Sequence, residues 1–387
     1  MRLAERAIVW SISSFPQQNA SGRYASTRYE LLNSIASARL YSADADSALL
    51  LMHDGTVDCT TLQMDRSLKS VPCVELPSLE PPSVVQEAAC QVGARKLVIG
   101  ELYLTTIVPN LLELDETAEK LFSYRVRDPQ SMSTWHRGNT STRLDGNTTR
   151  RGSITTTLSG NSTATVRGKS EALGLGAWYR YLSHLLLPLG IAKALYMDLD
   201  TCVMASITPL FSVNDSAPLV VARRESGASQ ELTMFLAYKG LNATLAQGLF
   251  GFNMGAIPLS FNNGVMLINL VPYCVHGIWP RMKRLVTLHS TPGTRMFKAT
   301  EDIHGGGSAL GDNDVVVVVA ASTSHFVGAE WNCRRPAEFN THRTINGTKC
   351  RVVHQHELSS HYRVPWLPSS AKKHCARMIA RWTAEKA

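Results

Sequence analysis

The chain of 387 residues is long enough for one large α/β domain or two ordinary ones, and 44% apolar residues can fill a sizeable core. Its net charge of +8 raises nucleic-acid binding, but the excess is local: Arg137, Arg143, Arg150, Arg151, Arg167 and Lys169 face only Asp145 within residues 131–170, and the remainder is nearly balanced. That distribution speaks against a nucleic-acid partner, and no apolar run approaches the ~18 residues of a membrane span, so a membrane is expected only through an anchor absent from this chain.

Ala7 to Ser13 is apolar and β-branched and predicts a first strand; Glu5 and Arg6 ahead of it are unlike a secretory leader. Thr27 to Tyr41 carries Tyr29, Leu32, Ile35, Ala36 and Leu40 at helical spacing. Ala48 to Met52 predicts a second strand closed by Asp54-Gly55, Val84 to Val92 a short helix, and Lys96 to Ile99 a third strand. This β-α-β-α-β opening implies a mostly parallel sheet covered by helices on both faces. Residues 131–170 are rich in Ser, Thr, Asn, Gly and Arg and lack periodicity, which predicts a disordered basic insertion within a single domain spanning 1–387. Beyond it, Trp178, Leu182, Leu185 and Leu186 share a helical face, Pro188 ends that helix, and Ala194 to Met197 predicts a strand.

Seven N-x-S/T sequons, at Asn19, Asn139, Asn147, Asn161, Asn214, Asn242 and Asn346, favour the lumen of the secretory pathway, Golgi or endoplasmic reticulum. The eight cysteines form no C-x-x-C zinc pattern. Cys333 and Cys350 flank a polar loop and could bridge in an oxidising compartment; two buried thiols fit the sequence equally well.

Open α/β sheets place ligands beyond the carboxyl ends of their strands. The strand ending at Met197 runs directly into Asp198-Leu199-Asp200. On extended chain, residues i and i+2 point the same way, so both carboxylates can face one hard cation such as Mn²⁺ or Mg²⁺. D-x-D also occurs at Asp44-Ala45-Asp46, in a polar turn, and at Asp312-Asn313-Asp314.

The segment Ala194 to Thr201 (ALYMDLDT) resembles the LYLDTD segment of family 8 glycosyltransferases. Phe261 to Leu270 (FNNGVMLINL) resembles that family's FNAGVMLINL, and Gly311-Asp312-Asn313-Asp314 its GDQD. Trp331-Asn332-Cys333-Arg334 is similar to a W-N-x-R block, and Val352-Val353-His354 is followed by His361 at the family's spacing. These blocks come in the family's order across about half of the chain, and the last two are most like the glucoside and xyloside xylosyltransferases. The resemblance implies a GT-A, Rossmann-like fold and a retaining transfer from a UDP-sugar to a glycan acceptor on a secreted protein, dependent on Mn²⁺ (or Mg²⁺).

It also implies roles. Asp198, Asp200 and His354 hold the metal, with His356 as the competing histidine. Arg180, Asn262, Asn263, Gly264 and Asp312 bind the donor, and Tyr24 meets its uracil ring. Asp314 and Asn313 stand at the reacting sugar, Asn313 in place of the usual glutamine. Trp331 and Asn332 meet the acceptor. Arg363, before Val364-Pro365-Trp366, replaces the lysine of the family's KPW ending. The implied donor sugar is xylose; glucose or galactose transfer, a catalytically inactive sugar-binding relative, and polyanion binding through the basic insertion are the competing readings. Finally, Val315 to Val319 reads as a buried strand by propensity, whereas the resemblance makes it a helix opened by Asp312-Asn313-Asp314; the helix is the expectation here, because valine disfavours helices by only a few tenths of a kcal/mol each.

Overall fold

A computed structural model describes residues 2–13, 23–41, 46–66, 68–79, 97–107, 176–186, 190–223, 240–253, 261–291, 294, 296–297, 312–333 and 350–354. The strands are β1 (Arg6–Ile12), β2 (Ser47–His53), β3 (Cys73–Leu79), β4 (Leu102–Ile107), β5 (Lys193–Met197), β6 (Thr201–Val203), β7 (Leu219–Arg223), β8 (Phe261–Asn269), β9 (His325–Val327) and β10 (Val352–His354). The helices are α1 (Arg23–Tyr41), α2 (Cys59–Gln63), α3 (Ser183–Leu186), α4 (Thr208–Phe211), α5 (Ala243–Phe250), α6 (Leu270–Val275), α7 (Ile278–Ser290) and α8 (Asp312–Ala320), with a 3-10 turn at Arg180–Leu182 leading into α3.

Eight strands form one sheet in the order β3-β4-β2-β1-β5-β8-β7-β9. The pairs from β3 through β5 and the β7–β9 pair are parallel; β8 runs antiparallel to both β5 and β7. The mixed, mostly parallel α/β architecture follows from the sequence pattern. Side chains alternate between two faces: Val9, Leu50, Met52, Tyr196 and Met266 enter one core with Trp178, α7 and α8. Ile8, Trp10, Leu49, Leu51, Leu195 and Leu267 enter the other with α1 and α4.

The five valines are helical. Val315 to Val319 are buried on every side of α8, so packing overrides their intrinsic preference, and Asp312 and Asp314 lie in the first turn, where the helix dipole favours acids. The strand expected at Lys96 to Ile99 is corrected. Val98 makes a single bridge to Leu3, the chain turns at Gly100 with φ 76°, and the sheet strand is β4. β3 had no counterpart in the sequence reading.

Residues on both sides of the basic stretch enter the same sheet, since β4 precedes it and β5 follows it. The stretch 131–170, the helix expected at Val84 to Val92, and His356, His361 and Arg363 lie outside the described residues.

Two disulfides, Cys59–Cys73 and Cys333–Cys350, are closed, and no described cysteine is free. Cys202 and Cys274 are also disulfide-bonded. Cys333 and Cys350 thus take the bridged alternative. Among the described residues no helix is long and apolar enough to cross a membrane.

Candidate functional site

Three local arrangements converge at one edge of the sheet. First, β1 has β2 on one side and β5 on the other, both parallel to it, so the strand order switches direction there and a crevice opens beyond their carboxyl ends. Asp198-Leu199-Asp200 leaves β5 at this point. Second, β8 runs antiparallel to β5, which brings its first residues beside the end of β5: Met197 pairs with Val265, and Asp198 N donates to Gly264 O at 2.7 Å. Third, the two-stranded ribbon β6–β10 sets His354 opposite Thr201, immediately after Asp200. The turn between β5 and β6 is fastened to α1. Thr201 Oγ1 donates to Asp198 O (2.7 Å) and lies 2.7 Å from Ser34 Oγ, which accepts from Trp10 Nε1.

The outcome is a cluster of Asp198, Asp200 and His354 whose candidate ligand atoms all lie within 4.8 Å of one another. His354 Nε2 is 3.2 Å from Asp198 Oδ2 and 3.2 Å from Asp200 Oδ1. Two carboxylate oxygens and one imidazole nitrogen suit a hard or borderline divalent cation such as Mn²⁺. Gly264 forms the floor: a Cβ there would sit 2.1 Å from His354 Cε1 and 2.5 Å from Asp198 Oδ2. Glycine is therefore required by the cluster itself, where the backbone approaches His354 and Asp198 closely.

A buried layer supports the cluster. Arg180 is 5% exposed, its Nη2 3.1 Å from Asp198 Oδ1 and its Nε 3.6 Å from Asp312 Oδ2, while Nη1 donates to Asn263 O. Its guanidinium also lies over the Tyr196 ring at 4.3 Å. Burial opposes this charge, yet Asp198, Tyr196 and Asp312 outweigh it and hold the Arg180 pKa above its ordinary value. Burial likewise opposes the Asp198 carboxylate, but Arg180 and His354 hold its pKa below the usual carboxylate range. Tyr196 OH donates to Asp198 Oδ1 (2.9 Å), and Ser11 Oγ at the end of β1 lies 3.3 Å from that hydroxyl. Asn263 Nδ2 donates to Tyr181 OH (2.6 Å) and Asp312 Oδ2 (2.8 Å).

The predicted residues divide accordingly. Asp198, Asp200, His354, Arg180, Asn263, Gly264 and Asp312 come together as one site. Asn263 is 4% exposed and its amide links protein groups. Asn262 Oδ1 accepts from Gly264 N and Asn332 Nδ2. Asn313 Oδ1 accepts from Asn263 N, and Asp314 is buried in the first turn of α8.

The two residues assigned to the acceptor are both buried. Trp331 is in the core with Arg351 stacked on it at 4.9 Å. Asn332 is 6% exposed and bonded to His354 and Asn262. Tyr24 falls on the first turn of α1, its side chain outside the described residues. Sequence reasoning missed Tyr196 and Tyr181. Tyr196 was within reach of it, because a residue two before Asp198 on the same strand faces the same side.

No protein-family model matches the chain, and no curated protein matches it. Solved structures do. A galactosyltransferase, LgtC, in complex with donor and acceptor sugar analogues is matched at TM-score 0.46 and 12% identity over 98% of this chain and 95% of that one. Mouse xyloside xylosyltransferase 1 is matched at 0.42 and 13%, over 94% and 99%. The glycosyltransferase GlyE of Streptococcus pneumoniae is matched at 0.45 and 11%, over 100% and 64%. These three structures to which the chain is similar are glycosyltransferases.

Proposed function

We propose that the chain is a metal-dependent retaining glycosyltransferase that moves a sugar from a UDP-sugar to a glycan acceptor. The observation that carries the reading is the Asp198–Asp200–His354 cluster at the strand-order switch, backed by the buried Arg180–Asp312 pair. The sequence blocks that resemble family 8 glycosyltransferases are the blocks whose residues converge there.

A divalent cation held by Asp198, Asp200 and His354 would supply positive charge against the departing diphosphate. The protein's own groups do the positioning. Arg180 and Tyr196 fix the Asp198 carboxylate in one rotamer, His354 closes the third side, and Asn263 ties Asp312 and Tyr181 to the same wall. Such an arrangement catalyses by holding charges in place rather than by offering a nucleophile.

The proposed donor is UDP-xylose, on the likeness of the W-N-x-R block and of the His354 and His361 spacing to xylosyltransferases. The proposed site of action is the lumen of the secretory pathway, and the whole chain is proposed to be one domain carrying the 131–170 insertion. The compartment is supported by the disulfides, which persist in oxidising surroundings, and by the exposed sequon residues Asn214 and Asn242.

UDP-xylose, UDP-glucose and UDP-galactose are assayed side by side for transfer and hydrolysis, with Mn²⁺ and with EDTA. Turnover of UDP-xylose at least about tenfold above either hexose, abolished by EDTA, is expected; that ratio corresponds to ~1.4 kcal/mol in transition-state binding. A hexose preference would move the donor assignment alone. Turnover of no donor would remove the transferase reading.

A further inference from the structure

We infer that Asn332 is a positioning residue: it keeps Nδ1 of His354 protonated, so that Nε2 is the nitrogen presented to the carboxylate pair and to a metal. The inference rests on the proposed metal site and deepens it.

The assignment is forced from two backbone groups of fixed polarity. Gly264 N–H can only donate, and it meets Asn262 Oδ1 at 3.0 Å, which fixes the orientation of the Asn262 amide. Asn262 O can only accept, and the Asn332 amide meets both Asn262 O and Asn262 Oδ1 at 3.1 Å. The atom making those two contacts must therefore be the Asn332 NH₂ group. Asn332 Oδ1 is left facing His354 Nδ1 at 2.7 Å. An amide oxygen cannot donate, so Nδ1 carries a hydrogen. Nε2 is the remaining ring nitrogen, 3.2 Å from an oxygen of each aspartate; carboxylates only accept, so without a metal Nε2 carries a hydrogen as well, and a cation bound there would take that hydrogen's place.

Backbone contacts prevent relaxation of this chain. His354 N donates to Cys333 O and Cys333 N to Val352 O, so the strand carrying the imidazole and the segment carrying the amide are laced together. Asn332 is 6% exposed and His354 3% exposed, so water competes little for either group. An aspartate at 332 would keep the acceptor for Nδ1–H but lose the donor to Asn262. A leucine would lose both.

The test uses the full chain, with Mn²⁺ alone as probe and no donor. Free Mn²⁺ is followed by electron paramagnetic resonance for the wild type, Asn332→Leu and Asn332→Asp. The leucine variant is expected to bind Mn²⁺ about 10- to 100-fold more weakly, and the aspartate variant to recover most of that loss, because a partner of this kind orients the ligand. Equal affinity of all three would overturn the inference.

A second readout does not depend on the Asn332 variants folding. In protein labelled with ¹⁵N-histidine, the His354 signal is assigned by its loss in His354→Gln. Nδ1 is expected to be protonated both without metal and with Mg²⁺, and an unprotonated Nδ1 in either state would overturn the assignment. Failure of the wild type to bind Mn²⁺ would remove the metal reading, while the Nδ1 signal would still decide whether Asn332 positions the ring.

Discussion

Replacing Gly264 with alanine puts a Cβ 2.1 Å from His354 Cε1, 2.7 Å from His354 Nδ1 and 2.5 Å from Asp198 Oδ2. The backbone cannot retreat, because Gly264 O accepts from Asp198 N and Gly264 N donates to Asn262 Oδ1. The imidazole must then move. Reaching an ordinary 3.4 Å contact takes 1.3 Å, the difference from 2.1 Å. Metal–ligand distances tolerate about 0.2 Å, so His354 leaves the cluster. Loss of a supporting partner alone weakens metal binding about 10- to 100-fold, and displacement of a ligand should exceed ~100-fold. Overpacking should lower stability by about 1–3 kcal/mol without unfolding the sheet. The assay is a Mn²⁺ titration beside a denaturant melt. Gly248→Ala on α5 serves as control, since its Cβ would meet nothing within 4 Å. Wild-type Mn²⁺ affinity in Gly264→Ala would refute the geometry of the cluster.

Asp200→Asn should remove turnover with any donor and weaken Mn²⁺ binding while the far-ultraviolet circular dichroism is unchanged; it is a cleaner test than Asp198→Asn, because Asp198 also anchors Arg180, and full activity would sink the metal assignment. His184, with its pKa pushed down to about 4 chiefly by burial, is neutral when folded, whereas the unfolded chain takes up the proton near its ordinary 6.5. The unfolded state therefore binds more protons between these values, and stability falls as pH drops from 6.5 to 4, by about 3 kcal/mol at most; His184→Phe should lack that component, and parallel stability–pH curves for the two proteins would refute it. Replacing Cys333 and Cys350 by serine should lower unfolding free energy by about 2–4 kcal/mol and weaken Mn²⁺ binding, because Cys333 bridges Val353 beside His354; unchanged Mn²⁺ affinity would show that the disulfide does not support the site.

What was legible in the sequence was what period and spacing encode. Continuous apolar runs, buried on both faces, marked β1, β2 and β5, and the two aspartates following β5 marked the switch point. β3 was hidden because Cys73–Leu79 is interrupted by Glu75, Pro77 and Ser78 and stands at the sheet edge, where exposure weakens the apolar signal. The short apolar run at Lys96 to Ile99 misled because part of it bridges to Leu3 rather than joining the sheet ladder. The valine run could not be settled by propensity, since its burial on all sides is a property of the packing of α8. Trp331 and Asn332 share one block, and pattern alone says nothing of which way either points. Long-range contacts turn one into core and the other into a support for His354.

The charge arrangement explains why Arg180 stands among the carboxylates of a site read as cationic in its needs. Asp198, Asp200 and Asp312 bring three negative charges, and Arg180 returns one positive charge to Asp198 and Asp312. Buried carboxylates without partners would protonate or drive the elements apart. Arg180 instead links the end of β5 to the start of α8, with Asn263 O of β8 as a third attachment. With His354 neutral, as it would be when ligating a metal through Nε2, the net deficit is two charges, concentrated where Asp198 and Asp200 face that nitrogen. Arg180 and His354 hold the Asp198 pKa low, so that carboxylate stays ionised near neutral pH. Two charges and a three-atom donor set of mixed oxygen and nitrogen are what one divalent cation satisfies, leaving its remaining positions for phosphate oxygens. Arg180 thereby tunes the site to a single ion, and the same contacts hold together the three elements that carry it.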